Sequence, residues 1–86
     1  MTLSKHAQVR AQQRCVPPLI VEWLLSYGSR SPSHAAERVV FDKRARRALG
    51  RDVGKVVVKQ MGRFMNTSIV VDPCTDEVIT IIRQGH

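Results

Sequence analysis

Apolar residues near the start of the chain recur at helical spacing in one segment and are sparse in the segment before it. Residues 5–14 are mainly polar and follow Ser4, a good N-cap, so they predict a half-exposed first helix. Pro17 and Pro18 end this helix and suit the first turn of another, where the missing N–H would be unpaired anyway. The second helix carries an apolar stripe at steps of three and four residues, which predicts packing on a core: Leu19, Ile20, Trp23, Leu24 and Tyr27.

The pattern changes to loop and strand after the second helix. Gly28 is suited to end that helix as its C-cap, and the Ser- and Pro-rich composition of residues 28–34 predicts a loop. The β-branched and aromatic residues within 37–42 predict a strand. Asp42 can then cap a helix that begins at Lys43.

The middle of the chain supports two interpretations. Apolar residues keep a helical period here, which predicts two helices, about 43–49 and 53–64, with a break near Gly50. Asp52 would cap the second of these helices. The alternative uses residues 55–59 as a strand of a mixed sheet, because the consecutive valines there favour a strand by propensity.

Two β-branched runs near the end of the chain predict an antiparallel hairpin. Residues 68–72 and 77–83 form its strands, and the Pro- and Asp-containing residues 73–76 form its turn. The order of elements predicts an α+β fold in which two N-terminal helices pack on an antiparallel sheet of three to four strands. A chain of 86 residues makes this a single domain over residues 1–86.

The charge balance points to the kind of partner. Fourteen Lys and Arg residues against seven Asp and Glu residues give a formal net charge of +7, which favours a polyanion. The expected polyanion is RNA. No run reaches the roughly 18 apolar residues that a membrane span needs, so we also expect a cytoplasmic protein that does not bind a membrane. Cys15 and Cys74 have no Cys or His at metal-ligand spacing, so we expect free thiols, no metal and no cofactor.

A run of cations occupies the helices predicted for the middle of the chain. Six of them fall at four-residue intervals: Lys43, Arg47, Arg51, Lys55, Lys59 and Arg63. At 3.6 residues per turn this spacing makes a slanting stripe, which can follow a phosphate backbone without reading its sequence. The alternative is an ordinary solvated face, but the acids nearby are few, Asp42 and Asp52. We therefore predict a nucleic-acid-binding surface.

The first helix carries three residues suited to a phosphodiester. His6, Arg10 and Arg14 are four residues apart, which places them along one side of a helix. Arginine can hold a phosphate with two hydrogen bonds, and histidine titrates near neutral pH and can carry a proton. The alternative is a solvated helix face with His6 there by chance. Because paired acids suited to magnesium are missing, any nuclease chemistry here would be metal-independent.

These motifs resemble a known family. The helix from Ser4 to Arg14, the helix ending in Tyr27-Gly28 and the closing strand from Val78 to Arg83 resemble a group of small uncharacterised domains. That group has an N-terminal His-x3-Arg-x3-Arg helix and a closing hydrophobic-Thr-hydrophobic strand. It in turn resembles the RelE-like and barnase-like toxin ribonucleases, whose fold is two helices followed by an antiparallel sheet.

The resemblance implies a metal-independent endoribonuclease, often the toxin of a toxin–antitoxin pair, with a small acidic antitoxin as its partner. The positions that match the family are His6, Arg10, Arg14, Thr80 and Arg83. The chain departs from the family at residues 43–64, which are longer and more helical than the compact middle expected there. Strict alternation also places Thr80 and Arg83 on opposite faces of the last strand, so they share a site only if the strand end twists or the arginine reaches round.

Two further functions stay open at this point. One is a non-catalytic RNA- or DNA-binding module, and the other is a basic domain that docks an acidic protein. The first helix discriminates between them and a nuclease. A nuclease needs His6 beside the arginines in a concavity, whereas a binding module needs only the positive surface.

Overall fold

A computed structural model describes residues 2–83 and shows a four-stranded sheet with helices packed on one of its faces. The elements in chain order are α1 (Lys5–Gln13), α2 (Pro18–Tyr27), β1 (Ser29–Ser33), β2 (Ala36–Val40), α3 (Lys43–Val53), α4 (Lys55–Gln60), a 3₁₀ turn (Gly62–Phe64), β3 (Thr67–Val71) and β4 (Val78–Arg83). Neighbouring strands pair antiparallel in the order β1-β2-β3-β4. The predicted α+β class and antiparallel sheet are therefore confirmed.

The start of α1 is fastened to the edge of the sheet. Ser4 Oγ accepts a hydrogen bond from the Ala7 N–H at 3.1 Å and donates one to the Ile79 carbonyl at 2.8 Å. Leu3 forms a parallel bridge with Val78, so the chain runs beside β4 before the helix begins. The predicted cap thus also anchors α1, which packs along β4 and buries Ala7 completely.

Helix α2 supplies the centre of the core. Ile20, Val21 and Leu24 are fully buried, and Trp23 is 8% exposed. They join the inward residues of the sheet and of α3: Val39, Ile69, Val71, Val78, Ile81, Ala45 and Leu49. Leu19 departs from the predicted stripe because it is 42% exposed. The buried face is thus rotated toward Val21, which takes the place in the core that the pattern assigned to Leu19.

Gly28 ends α2 for a different reason from the one predicted. Its φ of −61° is not the left-handed conformation of a glycine C-cap. A side chain at this position would collide with the Val39 side chain and the Leu24 carbonyl. The glycine is needed because β2 crosses close to the end of α2.

Most of residues 28–34, where the composition predicts a loop, form an edge strand, Ser29–Ser33. Strand β1 pairs with β2 along its length, with Ser31 opposite Arg38, and the turn between them places His34 and Ala35 at φ 47° and 63°. An edge strand exposes most of its side chains and tolerates a proline such as Pro32, so it needs no apolar pattern. This strand completes the sheet of four.

The helical interpretation of the middle of the chain is confirmed, but the predicted break at Gly50 is wrong. Helix α3 runs unbroken through Gly50, and the chain turns at Gly54, where φ is 95°. Glycine adopts a positive φ without the steric penalty of a Cβ atom, which suits it to this turn. Residues 55–60 are helical, so the alternative strand at 55–59 is wrong as well. The second predicted helix, 53–64, is shorter than expected, because it ends at Gln60 before the 3₁₀ turn Gly62–Phe64.

Of the two aspartates predicted to cap helices, one does so. Asp42 accepts a hydrogen bond from the Ala45 N–H at 2.8 Å and caps α3. Asp52 lies inside α3 and does not cap α4; its Oδ2 accepts a hydrogen bond of 2.6 Å from the Tyr27 hydroxyl. That hydrogen bond raises the pKa of Tyr27 and joins the last turns of α2 and α3.

The burial of Trp23 predicts a large loss of stability when the ring is removed. Trp23→Ala should lower the free energy of unfolding by about 3–5 kcal/mol, since truncating a core aromatic leaves a cavity. Urea unfolding followed by circular dichroism measures this. Leu19→Ala on the same helix is the control, and its change should stay within about 0.5 kcal/mol because the side chain is exposed. Equal stability of the two variants would show that the indole does not belong to the core.

Candidate nucleic-acid interface

A basic groove with a volume of about 990 Å³ lies between α3 and α4, where the chain leaves β2. We call this the α3–α4 groove. Its charged lining is six cations and one carboxylate: Lys43, Arg46, Arg47, Arg51, Lys55, Lys59 and Asp42. Phe41, Gly50 and Val58 supply apolar surface between the charges. The groove is therefore lined by positive charges and by apolar surface together.

The turn at Gly54 makes a groove out of a linear stripe. In α3, Ala45 and Leu49 face the core, which leaves Lys43, Arg47 and Arg51 on the other side. The turn lets α4 fold back, so that cations from both helices line the same groove. Five of the six cations predicted as a stripe are therefore brought together.

Arg46 is a groove residue that the four-residue repeat steps over. Its Nε donates to the Phe41 carbonyl at 3.1 Å and its NH2 donates to the Met65 carbonyl at 3.3 Å. The side chain thus ties α3 to the end of β2 and to the chain entering β3. Arg46 is three residues after Lys43 and four before Gly50, so it shares a helix face with both. A search for steps of three as well as four residues would have predicted it as part of the binding surface.

Asp42 is the acid at the edge of the groove. The hydrogen bond from the Ser29 side chain is the largest influence that lowers the pKa of Asp42, followed by the bond from the Ala45 N–H. The ionised carboxylate is thus already engaged as the cap of α3. It does not form an ion pair with the groove arginines in the part of the chain that is described.

Arg63, the sixth cation of the predicted stripe, lies outside the groove. Its guanidinium carbon is 4.9 Å from the centroid of the buried Phe64 ring, and that of Arg83 is 5.1 Å from the same centroid. Cation–π attraction of this kind holds a guanidinium against an aromatic face. The positively charged side chains of Arg63 and Arg83 therefore both lie against the Phe64 ring.

Arg83 also connects this ring to the end of α1. Its NH1 donates to the Arg14 carbonyl at 3.2 Å, and its NH2 donates to the Arg63 carbonyl at 3.3 Å. Arg14 Nε is buried and has no hydrogen-bond partner within residues 2–83. We refer to Arg63 and Arg83, which share the Phe64 ring, together with Arg14, whose backbone carbonyl accepts a hydrogen bond from Arg83, as the arginine cluster. All the ion pairs of the described residues involve Arg30, so none neutralises the cluster.

Thr67 lies beside the arginine cluster. It is directly opposite Arg83 in the pairing of β3 with β4, which puts the two side chains on one face of the sheet. Thr67 is 1% exposed, and its hydroxyl has no partner in the described part of the protein. An unpaired buried hydroxyl lowers the free energy of unfolding by about 1–3 kcal/mol, so the Thr67 hydroxyl destabilises the fold.

The remaining positions predicted from the toxin resemblance are His6, Arg10 and Thr80, and among the described residues none of them shares a hydrogen bond with Arg83. His6 is exposed and directly precedes the buried Ala7. Eight residues at about 1.5 Å each separate it from Arg14 along the helix, roughly 12 Å. Arg10 donates to Gln13 Oε1 at 3.2 Å. Of the five positions that match the family, Arg14 and Arg83 are in contact, through the hydrogen bond from Arg83 NH1 to the Arg14 backbone carbonyl.

Thr80 is on the other face of β4. It pairs with Val70, whereas Arg83 pairs with Thr67, and the alternation between these pairs is regular. The opposite placement of Thr80 and Arg83 expected from alternation is therefore present. Arg83 reaches the end of α1 and not the face that carries Thr80.

Comparison with known proteins adds no relative to these observations. No protein-family model, curated protein or solved structure matches the chain. The resemblance to the toxin ribonucleases therefore stays a prediction.

Two observations on residues 2–83 concern metals and membranes. These residues contain no group of three His, Cys, Asp or Glu side chains that could hold a metal ion. Both cysteines are free and exposed. Within the same range, every helix is too short or too polar to cross a membrane.

The unpaired hydroxyl of Thr67 predicts a substitution that stabilises the protein. Thr67→Val keeps the shape of the side chain and removes the buried polar atom, so the free energy of unfolding should rise by about 1 kcal/mol. Urea unfolding measures the change. Thr80→Val, half-exposed on the other face, is the matched control and should have little effect. A destabilised Thr67→Val would mean that the hydroxyl makes a necessary bond.

Proposed function

We propose that the protein binds single-stranded RNA in the α3–α4 groove. The observation that carries the proposal is the gathering of six cations and one carboxylate, itself engaged as a helix cap, around one groove. Neutralising phosphates with lysine and arginine releases condensed counterions, which drives binding of any nucleic acid. Because phosphate contacts position a strand without reading bases, binding should depend little on sequence.

The shape of the groove favours an unpaired strand. A double helix presents its phosphates on a broad convex surface, which makes poor contact with a concavity between two short helices. An unpaired strand can enter such a groove and place sugars or bases on the apolar surface of Val58 and Gly50. The resemblance of the chain to toxin ribonucleases supports RNA over DNA as the source of that strand.

The proposal predicts binding that weakens steeply with salt. For about five phosphate contacts to a single strand, affinity should fall about 100-fold between about 50 and about 200 mM salt. Fluorescence anisotropy with a labelled mixed-sequence RNA measures this. Arg51→Glu should weaken binding and flatten the salt dependence, because it reverses a charge inside the groove. Arg44→Glu reverses an exposed charge on the same helix outside the groove and should change affinity much less.

Two results would contradict RNA binding in the groove. One is the absence of binding at low salt, or binding that does not respond to salt. The other is equal weakening by Arg51→Glu and Arg44→Glu, which would assign the interaction to overall charge. Neither depends on whether the protein cleaves RNA.

RNA cleavage is the second candidate function. It is favoured by the hydrogen bond from the Arg83 guanidinium to the Arg14 backbone carbonyl, which brings β4 to the end of α1. In this proposal the 2′-hydroxyl attacks the adjacent phosphorus, the bond from phosphorus to the 5′-oxygen of the next nucleotide breaks, and the arginines stabilise the charge that develops on the phosphate oxygens. His6 would take the proton of the 2′-hydroxyl or protonate the departing 5′-oxygen, which requires it to reach the phosphate from roughly 12 Å away along α1. An acidic antitoxin would then be the natural protein partner, since it could cover the same positive surface.

Cleavage predicts separate effects of His6 on rate and on affinity. His6→Ala should slow single-turnover cleavage of a short labelled RNA by about 10²–10⁴-fold, the usual contribution of a general acid or base, and leave binding nearly intact. EDTA in the assay removes contaminating metal ions. His34→Ala, in the turn between β1 and β2, is the matched control. A wild-type protein that binds RNA without cutting it would leave a binding module, and full activity of His6→Ala would exclude this histidine.

A further inference from the structure

We infer that the arginine cluster is a phosphate-binding subsite next to the α3–α4 groove. The inference rests on the proposed function only in naming RNA as the source of the phosphate. The binding of a phosphate group itself follows from the charges and hydrogen-bond donors of the cluster, and can be tested without RNA.

The first argument is uncompensated charge. Arg14 and Arg83 are half-buried, and the ion pairs of residues 2–83 are made elsewhere, by Arg30 with Glu37 and Asp76. Guanidinium groups that a fold gathers without a carboxylate repel one another. A bound anion reverses this repulsion, so the cluster is arranged for a ligand that brings negative charge.

The second argument is the geometry of the donors. Arg83 is fixed by two backbone carbonyls and by the Phe64 ring, so its position is set before any ligand arrives. A guanidinium has five N–H donors, and Arg83 directs two N–H-bearing nitrogens to carbonyls. Arg14 Nε donates to no described residue. That atom is buried, so the donors within reach of a ligand are the remaining N–H groups of the immobilised Arg83 and the exposed guanidinium of Arg63.

The third argument is position. Strand β2 ends its pairing with β3 at Val40 opposite Ser68, and β3 pairs with the end of β4 at Thr67 opposite Arg83, so both pairs lie at one end of the sheet. The α3–α4 groove opens where β2 ends. Arg46 extends from that groove to the carbonyl of Met65, the residue after Phe64. The groove and the arginine cluster are thus adjacent.

The chemistry of two neighbouring guanidiniums favours phosphate over carboxylate. A carboxylate has two oxygens in one plane and satisfies a single guanidinium fork. A phosphate group offers more oxygens, in a tetrahedral arrangement that can face several forks. Two sources supply this chemistry: an internal phosphodiester of the strand in the groove, or a terminal phosphomonoester.

The test uses inorganic phosphate and the thermal unfolding of the full chain. At constant ionic strength, phosphate should raise the melting temperature saturably relative to chloride, because a ligand that binds the folded state stabilises it. Arg63→Gln should weaken the apparent phosphate affinity about tenfold, the effect of losing a charged hydrogen-bond donor. This variant should fold, since Arg63 is exposed and the bond from Arg83 goes to its backbone.

Matched variants separate the subsite from the groove and from general charge. Arg51→Gln removes a groove cation and should keep the phosphate response. Arg44→Gln removes a cation outside both features and should keep it as well. A response lost equally in all three variants would overturn the inference, as would the absence of a saturable response in the wild type.

RNA then distinguishes the two sources of phosphate. Tighter binding of a 5′- or 3′-phosphorylated strand than of its hydroxyl form, with the difference lost in Arg63→Gln, supports a terminal phosphate. Equal binding of both forms, each weakened by Arg63→Gln, supports an internal phosphodiester. RNA binding that is unaffected by Arg63→Gln would refute the link to RNA. A phosphate response without RNA binding would refute the proposed function and leave the subsite.

Discussion

Two hydrogen bonds from Arg46 close the segment on which the candidate interface depends. Strands β2 and β3 are neighbours in the sheet, yet both helices α3 and α4 are inserted between them along the chain. The inserted segment must therefore leave and re-enter the sheet at the same end. Arg46 donates to Phe41 at the exit and to Met65 near the re-entry. One side chain of the groove thus also joins the two ends of the segment that forms it.

The groove has a local energetic cost that the fold offsets elsewhere. Lys43 with Arg47, Arg47 with Arg51, and Lys55 with Lys59 are like-charge pairs at four-residue spacing, each of which destabilises a helix by about 0.2–0.5 kcal/mol. Helix α3 is stabilised by its Asp42 cap and by burial of Ala45 and Leu49. Helix α4 has no buried residue of its own. Like-charge neighbours that weaken a helix are typical of functional surfaces, and a bound polyanion would relieve the repulsion between these cations.

The sequence predicted the elements best where burial or a cap determines them. Three inward residues of α2 (Ile20, Trp23 and Leu24), the Ser4 and Asp42 caps and the β3–β4 hairpin follow from local patterns. Strand β1 was missed because its partner's backbone, and not its own side chains, holds an edge strand in place. The turn at Gly54 was missed because glycine is tolerated inside a helix at Gly50 and terminates one at Gly54. Only the folded backbone distinguishes the two positions.

The grouping of residues in the candidate sites was also only partly predictable from the sequence. Arg63 was assigned to the helical stripe by its spacing, and Arg14 and Arg83 to a candidate catalytic set by the family resemblance, and neither criterion connects the stripe to that set. Packing around Phe64 regroups them, since the ring draws Arg63 and Arg83 together and the bond from Arg83 brings in the end of α1. Arginine remains charged at physiological pH and cannot serve as a proton carrier there. The cluster is therefore suited to holding a phosphate in either candidate function, and cleavage would require a titratable group brought to it from elsewhere.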